Sequence, residues 1–166
     1  MWKQVIKITA VAGILDIIAA FVQAYLLKGV TPGIVLKYIA SGVAGSTAFT
    51  GGIPFMLLGL LVHFFIAFCC SISFFFLYPR VKGLQKNVLL NAFIIAIVAW
   101  LLTTQVIVPL SRIHQGPFNL AAVSLAVLIL YCCIGLPIAY FTRQFYKRKA
   151  ARRRTVISEA DAIPRT

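Results

Sequence analysis

Two ionisable side chains interrupt stretches that otherwise suit lipid. Asp16 lies in AGILDIIAAF and His63 in LGLLVHFFIAF. A carboxylate and an imidazole together can hold or relay a proton, or receive a polar solute or ion. An ionisable residue at membrane depth marks a functional site by default. The plainer reading is structural: a protonated Asp16 bonds a backbone carbonyl or a threonine and ties two helices together; a third is that Asp16 meets another group, such as Gln105.

Depth connects the two residues. Each lies about ten residues into its own apolar run, about 15 Å at 1.5 Å per helical residue. That is the middle of a hydrocarbon core about 30 Å thick. The runs are consecutive in the chain and therefore antiparallel. A hydrogen bond between Asp16 and His63 is expected. Further polar groups lie towards the outer end: Gln23, Gln105, Arg112 and His114 are expected to line a vestibule above the pair. Either glutamine alone is better explained by an interhelical bond worth about 1 kcal/mol or less.

The helices that position these groups carry matching patterns. Steps of three and four along the first run pass through Thr9, Gly13, Asp16, Ala20 and Gln23, all small or polar. Leu15, Ile18, Phe21 and Val22 lie off that line. The second run shows Gly52, Met56, Gly59, His63, Ala67 and Cys70 at the same spacing. Small and polar stripes face other helices in membranes, because backbones approach closely there and polar groups find partners.

Composition sets the class. Of 166 residues, 61% are hydrophobic and 11% charged, against about 45–50% and about 25% in soluble domains. An integral membrane protein follows. The expected fold is all-α, a four-helix transmembrane domain over 1–143. Its spans lie at about 5–27, 53–78, 88–108 and 118–141. Between the first two, TPGIVLKYIASG is too short to cross. Thr31 caps it, Pro32 starts it and Gly42 ends it. It reads as a short outer helix over 31–41 that lies on the membrane surface or re-enters it. The run to Leu27 is longer than a signal-peptide core and contains Asp16, so it reads as a retained first span.

The net charge is +13, and eight of sixteen cations fall from Arg143 onward. Clustering at span ends argues for membrane topology, not nucleic-acid binding. The loop cations Arg80, Lys82 and Lys86 share a side with the tail. The positive-inside rule then places both termini in the cytoplasm. Trp2, Tyr25, Tyr78 and Tyr140 are expected as interfacial anchors. Residues 144–166 form a basic tail, expected to be mostly disordered after 154. Arg143, Lys147, Arg148, Lys149, Arg152, Arg153 and Arg154 are its expected contacts with anionic lipid headgroups. Cys69-Cys70 and Cys132-Cys133 lie in apolar runs and read as packing residues, with no metal-ligand spacing. Pro137 predicts a kink in the last span.

Several segments carry a resemblance: GILDIIAA (13–20), YIASGVAGSTAFTGG (38–52), LGLLVHFFIAF (58–68), IVPLSR (107–112) and IGLPIAYFTR (134–143). Together they resemble a family of small four-span bacterial inner-membrane proteins, loosely YagU-like. The resemblance implies a bacterial cytoplasmic-membrane location and transfers no activity, cofactor or site residue. Three readings of function remain. One is a non-enzymatic membrane protein whose polar centre handles protons or a small solute. Another is an accessory subunit that packs against a membrane partner or a second copy. An enzyme is the weakest, since neither G-x-S-x-G nor H-E-x-x-H occurs.

Overall fold

A computed structural model describes residues 1–104 and 119–161. All regular structure among them is helical. The helices are α1 (Trp2–Lys28), α2 (Pro32–Ala44), the single turn α3 (Thr47–Thr50), α4 (Ile53–Leu77), α5 (Val88–Leu102), α6 (Leu120–Leu130) and α7 (Leu136–Asp161). A 3-10 turn, Lys82–Gln85, precedes α5, and a π turn, Tyr131–Gly135, joins α6 to α7. Three helices are long and apolar enough to cross a membrane: α1, α4 and the continuous stretch Leu120–Thr155. The expected third span, 88–108, is described only to Thr104. Gln105, Arg112 and His114 lie outside the described residues.

Sequence chemistry sets the helix ends. The Asn87 side chain accepts from the amides of Leu89 and Leu90, capping α5. Asn119 does the same for α6 through Ala121 and Ala122. Gly29 closes α1 at φ 62°, a left-handed conformation that glycine adopts freely. Arg80 donates to the Phe76 carbonyl at 2.7 Å and satisfies the end of α4. The π turn has its cause in Pro137, which offers no N–H and crowds the Cys133 carbonyl. The preceding turn widens, and the Leu136 N–H donates to the Tyr131 carbonyl five residues back. The irregularity expected from Pro137 is thus found as a wider turn on its N-terminal side.

Helix α1 runs antiparallel to α4: Trp2 meets Phe76 edge-on, and Asp16 meets His63 in the middle. Stripe and lipid faces separate along both. Thr9, Ala12, Gly13 and Ile17 are buried, whereas Leu15, Ile18 and Val22 are exposed. On α4, Gly59 and Ala67 are buried, while Leu57, Leu61 and Phe65 face outward. Close approach needs glycine at two crossings. A Cβ on Gly59 would overlap the Leu36 carbonyl of α2, and one on Gly135 would overlap the Ala92 carbonyl of α5. Helix α2 packs across α4, burying Ala40 and Ser41. It extends three residues beyond the expected 41, to Ala44.

The main core lies towards the end where α1 begins. Val5, Ile8 and Ala12 pack with Phe74, Phe75, Ile95, Ile138 and Ala139. The first turns of α7 dock here. Phe145 and Tyr146 meet Phe75 at ring-centroid distances of 5.1 and 5.2 Å, and the Tyr146 hydroxyl donates to the Phe75 carbonyl at 3.1 Å. Burial raises the pKa of that phenol, with Arg80 pulling the other way, so it stays a donor. Tyr78 is no lipid anchor: it is buried and stacks on Tyr146. Trp2, Tyr25 and Tyr140 are exposed as expected of anchors. Beyond Arg154 the sequence suggests disorder, yet α7 continues to Asp161. Ala150, Ala151 and the arginines are strong helix formers extending a helix already nucleated by docking.

Asn91 is another buried polar side chain, where the sequence alone suggests an interfacial one. Its amide donates to the Leu84 carbonyl and pins the 3-10 turn to α5. Asn91→Leu removes the donor and leaves that carbonyl short of a partner. Thermal unfolding in detergent should register a loss of about 1–3 kcal/mol.

Candidate functional site

The centre of the helical assembly holds a cavity of about 360 Å³. Helix α1 contributes Asp16, Ile17, Ala20 and Gln23, and α4 contributes His63, Ala67 and Cys70. Tyr38 of α2 approaches from one side, Trp100, Thr103 and Thr104 from another, and Leu130 of α6 and Ile134 of the π turn complete the wall. The wall is mainly apolar with a few polar groups, the usual make-up of a small-molecule pocket.

Asp16 and His63 reach the cavity because Gly13 lets α4 approach α1. A Cβ at Gly13 would come within 2.7 Å of the Phe64 ring. The Phe64 ring takes the space that glycine leaves, and the close approach brings His63 Nε2 to 2.9 Å from the Gly13 carbonyl oxygen. A carbonyl oxygen only accepts, so Nε2 carries the hydrogen and donates. The Phe64 ring packs edge-on to the imidazole, with centroids 5.4 Å apart. One imidazole nitrogen is thereby committed and the ring is oriented.

The other nitrogen faces the carboxylate. His63 Nδ1 lies 3.9 Å from Asp16 Oδ2. That is ion-pair distance and too long for the hydrogen bond expected from the sequence. The bond goes to Gly13 because the helix backbone, one turn before Asp16, comes closer to the ring. The consequence is chemical. With Nε2–H fixed, a proton shared by the pair sits either on Asp16, opposite an Nδ1 lone pair, or on Nδ1, opposite a carboxylate. Both forms are neutral as a pair and hold one proton between them. A water, or a small side-chain rotation, closes the remaining gap for transfer.

The remaining candidates divide. Gln23 lines the same cavity. Its expected companions Gln105, Arg112 and His114 fall outside the described residues, so a vestibule is not described. Lys147, Arg148, Lys149, Arg152, Arg153 and Arg154 are exposed along α7, and Arg143 is half-buried with its Nε unpaired. Among the described residues no group of three or more His, Cys, Asp and Glu side chains is placed to hold a metal ion. The four cysteines are free, and Cys70 alone among them lines the cavity.

Sequence reasoning missed Tyr38, Trp100, Thr103 and Thr104. The two threonines were visible as a hydroxyl pair inside an apolar run. Each bonds back to its own helix, Thr103 Oγ1 to the Ala99 carbonyl at 2.9 Å and Thr104 Oγ1 to that of Trp100 at 2.8 Å. Tyr38 had no sequence signal, because the position of α2 against the cavity depends on the Gly59 crossing. No protein-family model, curated protein or solved structure matches the chain.

Proposed function

We propose that this is a four-pass membrane protein, with both termini in the cytoplasm, that couples a proton on the Asp16–His63 pair to a small solute in the central cavity. The observation that carries the reading is the division of labour on His63. Nε2 is fixed to the Gly13 carbonyl and Nδ1 faces Asp16 across 3.9 Å, at the wall of a 360 Å³ cavity. A purely structural pair has no need of open space beside it. A mainly apolar wall with Tyr38, Gln23, Thr103, Thr104 and the pair as its polar points suits a small, largely apolar molecule with one hydrogen-bonding end. The four-pass topology rests on the spacing of apolar runs and on the cations of the 80–86 loop and the tail. The resemblance to four-span bacterial inner-membrane proteins supports the same membrane.

Proton passage tests it. The protein is reconstituted in vesicles with a trapped pH-sensitive dye, and a potassium diffusion potential is applied. Proton entry should exceed that of empty vesicles, and Asp16→Asn should return it to their level. Entry that is unchanged by Asp16→Asn, or never above the empty-vesicle rate, contradicts the reading. The second outcome favours an accessory subunit with a packed polar tie.

A further inference from the structure

A second cavity, of about 230 Å³, lies where α1 begins and α7 leaves the core. Its lining differs in kind from the central one. Gln4 and Lys7 come from α1, and Phe141, Gln144, Phe145 and Arg148 from α7. The spacings are those of helix faces. Gln4 and Lys7 are three apart, while Phe141 and Phe145, and Gln144 and Arg148, are four apart. Two cations and two amides thus converge from two helices, beside a pair of phenylalanines.

Among the described residues neither cation has a counter-charge. Among the described residues the one ion pair is that of His63 with Asp16. The chain has three acidic residues, Asp16, Glu159 and Asp161. Asp16 is at mid-helix, and Glu159 lies eleven residues beyond Arg148 on α7, about 16 Å further along. The first turn of α1 holds no acidic residue either. Like charges sharing a cavity repel, and a bound anion reverses that repulsion. Arginine, lysine and amide donors suit phosphate oxygens, and the adjoining phenylalanine edge suits an apolar substituent.

We propose that this cavity binds a phosphate-bearing anion, held by Lys7 and Arg148 with help from the amides of Gln4 and Gln144. The site stands independently of the central cavity. Its anion is either the headgroup of an anionic phospholipid or free phosphate. The chemistry is shared, and the experiment separates the two.

The full chain is purified in maltoside detergent, stripped of lipid, and unfolded thermally at fixed ionic strength. The three additions are phosphatidylglycerol micelles, phosphatidylcholine micelles and inorganic phosphate. Phosphatidylglycerol or phosphate should raise Tm, and phosphatidylcholine should not. In the double variant Lys7→Gln, Arg148→Gln the apparent affinity should fall at least tenfold. The charge-matched Lys3→Gln, Lys82→Gln should retain it. Protection by phosphatidylglycerol alone identifies a lipid headgroup. Protection by phosphate, in competition with phosphatidylglycerol, identifies free phosphate. Equal losses in both double variants would reduce the effect to general surface charge and overturn the site, as would the absence of any shift with either anion.

Discussion

Gly135→Ala should destabilise the protein by about 3 kcal/mol, the upper part of the range for overpacked cores. An added Cβ would overlap the Ala92 carbonyl oxygen and stand 2.9 Å from its carbon. The obstacle is backbone on both sides, so no rotamer change relieves it. Helix α5 must move away from the π turn, exposing Ala92 and Ile95, both buried at present. Gly59→Ala meets the same obstacle at α2, with the Leu36 carbonyl carbon 2.8 Å away. It should cost a similar amount and also shift Tyr38 off the cavity. Gly83→Ala is the control: nothing lies within 4 Å of its Cβ position, and it should change stability by less than about 0.5 kcal/mol. Thermal unfolding of the three variants in one detergent decides it. Equal stabilities would mean that the helices do not cross where described.

The second large effect concerns His63. Replacing it with leucine removes the only group that faces Asp16 at ion-pair distance among the described residues. A buried carboxylate left without its partner costs about 3 kcal/mol or more. His63→Leu should therefore lose roughly 3 kcal/mol near neutral pH. Acidification should return part of the loss, because a protonated Asp16 no longer requires a cation. Asp16→Asn should be milder, near 1 kcal/mol, since a neutral His63 keeps its bond to the Gly13 carbonyl. The asymmetry is diagnostic. Were the pair an ordinary packing contact, both substitutions would cost alike and neither cost would vary with pH.

Much of the architecture was legible because a membrane chain writes its burial into residue size. The stripe through Thr9, Gly13, Asp16, Ala20 and Gln23 turned inward, and Leu15, Ile18 and Val22 outward, as helical spacing requires. The meeting of Asp16 and His63 followed from depth and connectivity alone. Its detail did not. Which nitrogen of His63 bonds, and to what, depends on how far Gly13 lets α4 approach, and that distance is set by Phe64 and Ala67. Tyr78 looked like an anchor because it ends an apolar run. The docking of Tyr146, from a segment read as a basic tail, buried it. The phosphate cavity was equally hidden. Lys7 and Arg148 are 141 positions apart, and only the packing of α7 on α1 brings them to one wall.

The proposed function requires Asp16 and His63 to hold one proton as a unit. A double-mutant cycle of Asp16→Asn and His63→Gln, by thermal unfolding in detergent across pH, tests it most directly. The pair should show a coupling of about 1–3 kcal/mol near neutral pH. That coupling should vanish in acid, where a second proton makes the pair cationic and ends the attraction. Additive effects at every pH, within about 0.5 kcal/mol, would mean that the two side chains share a cavity but no proton.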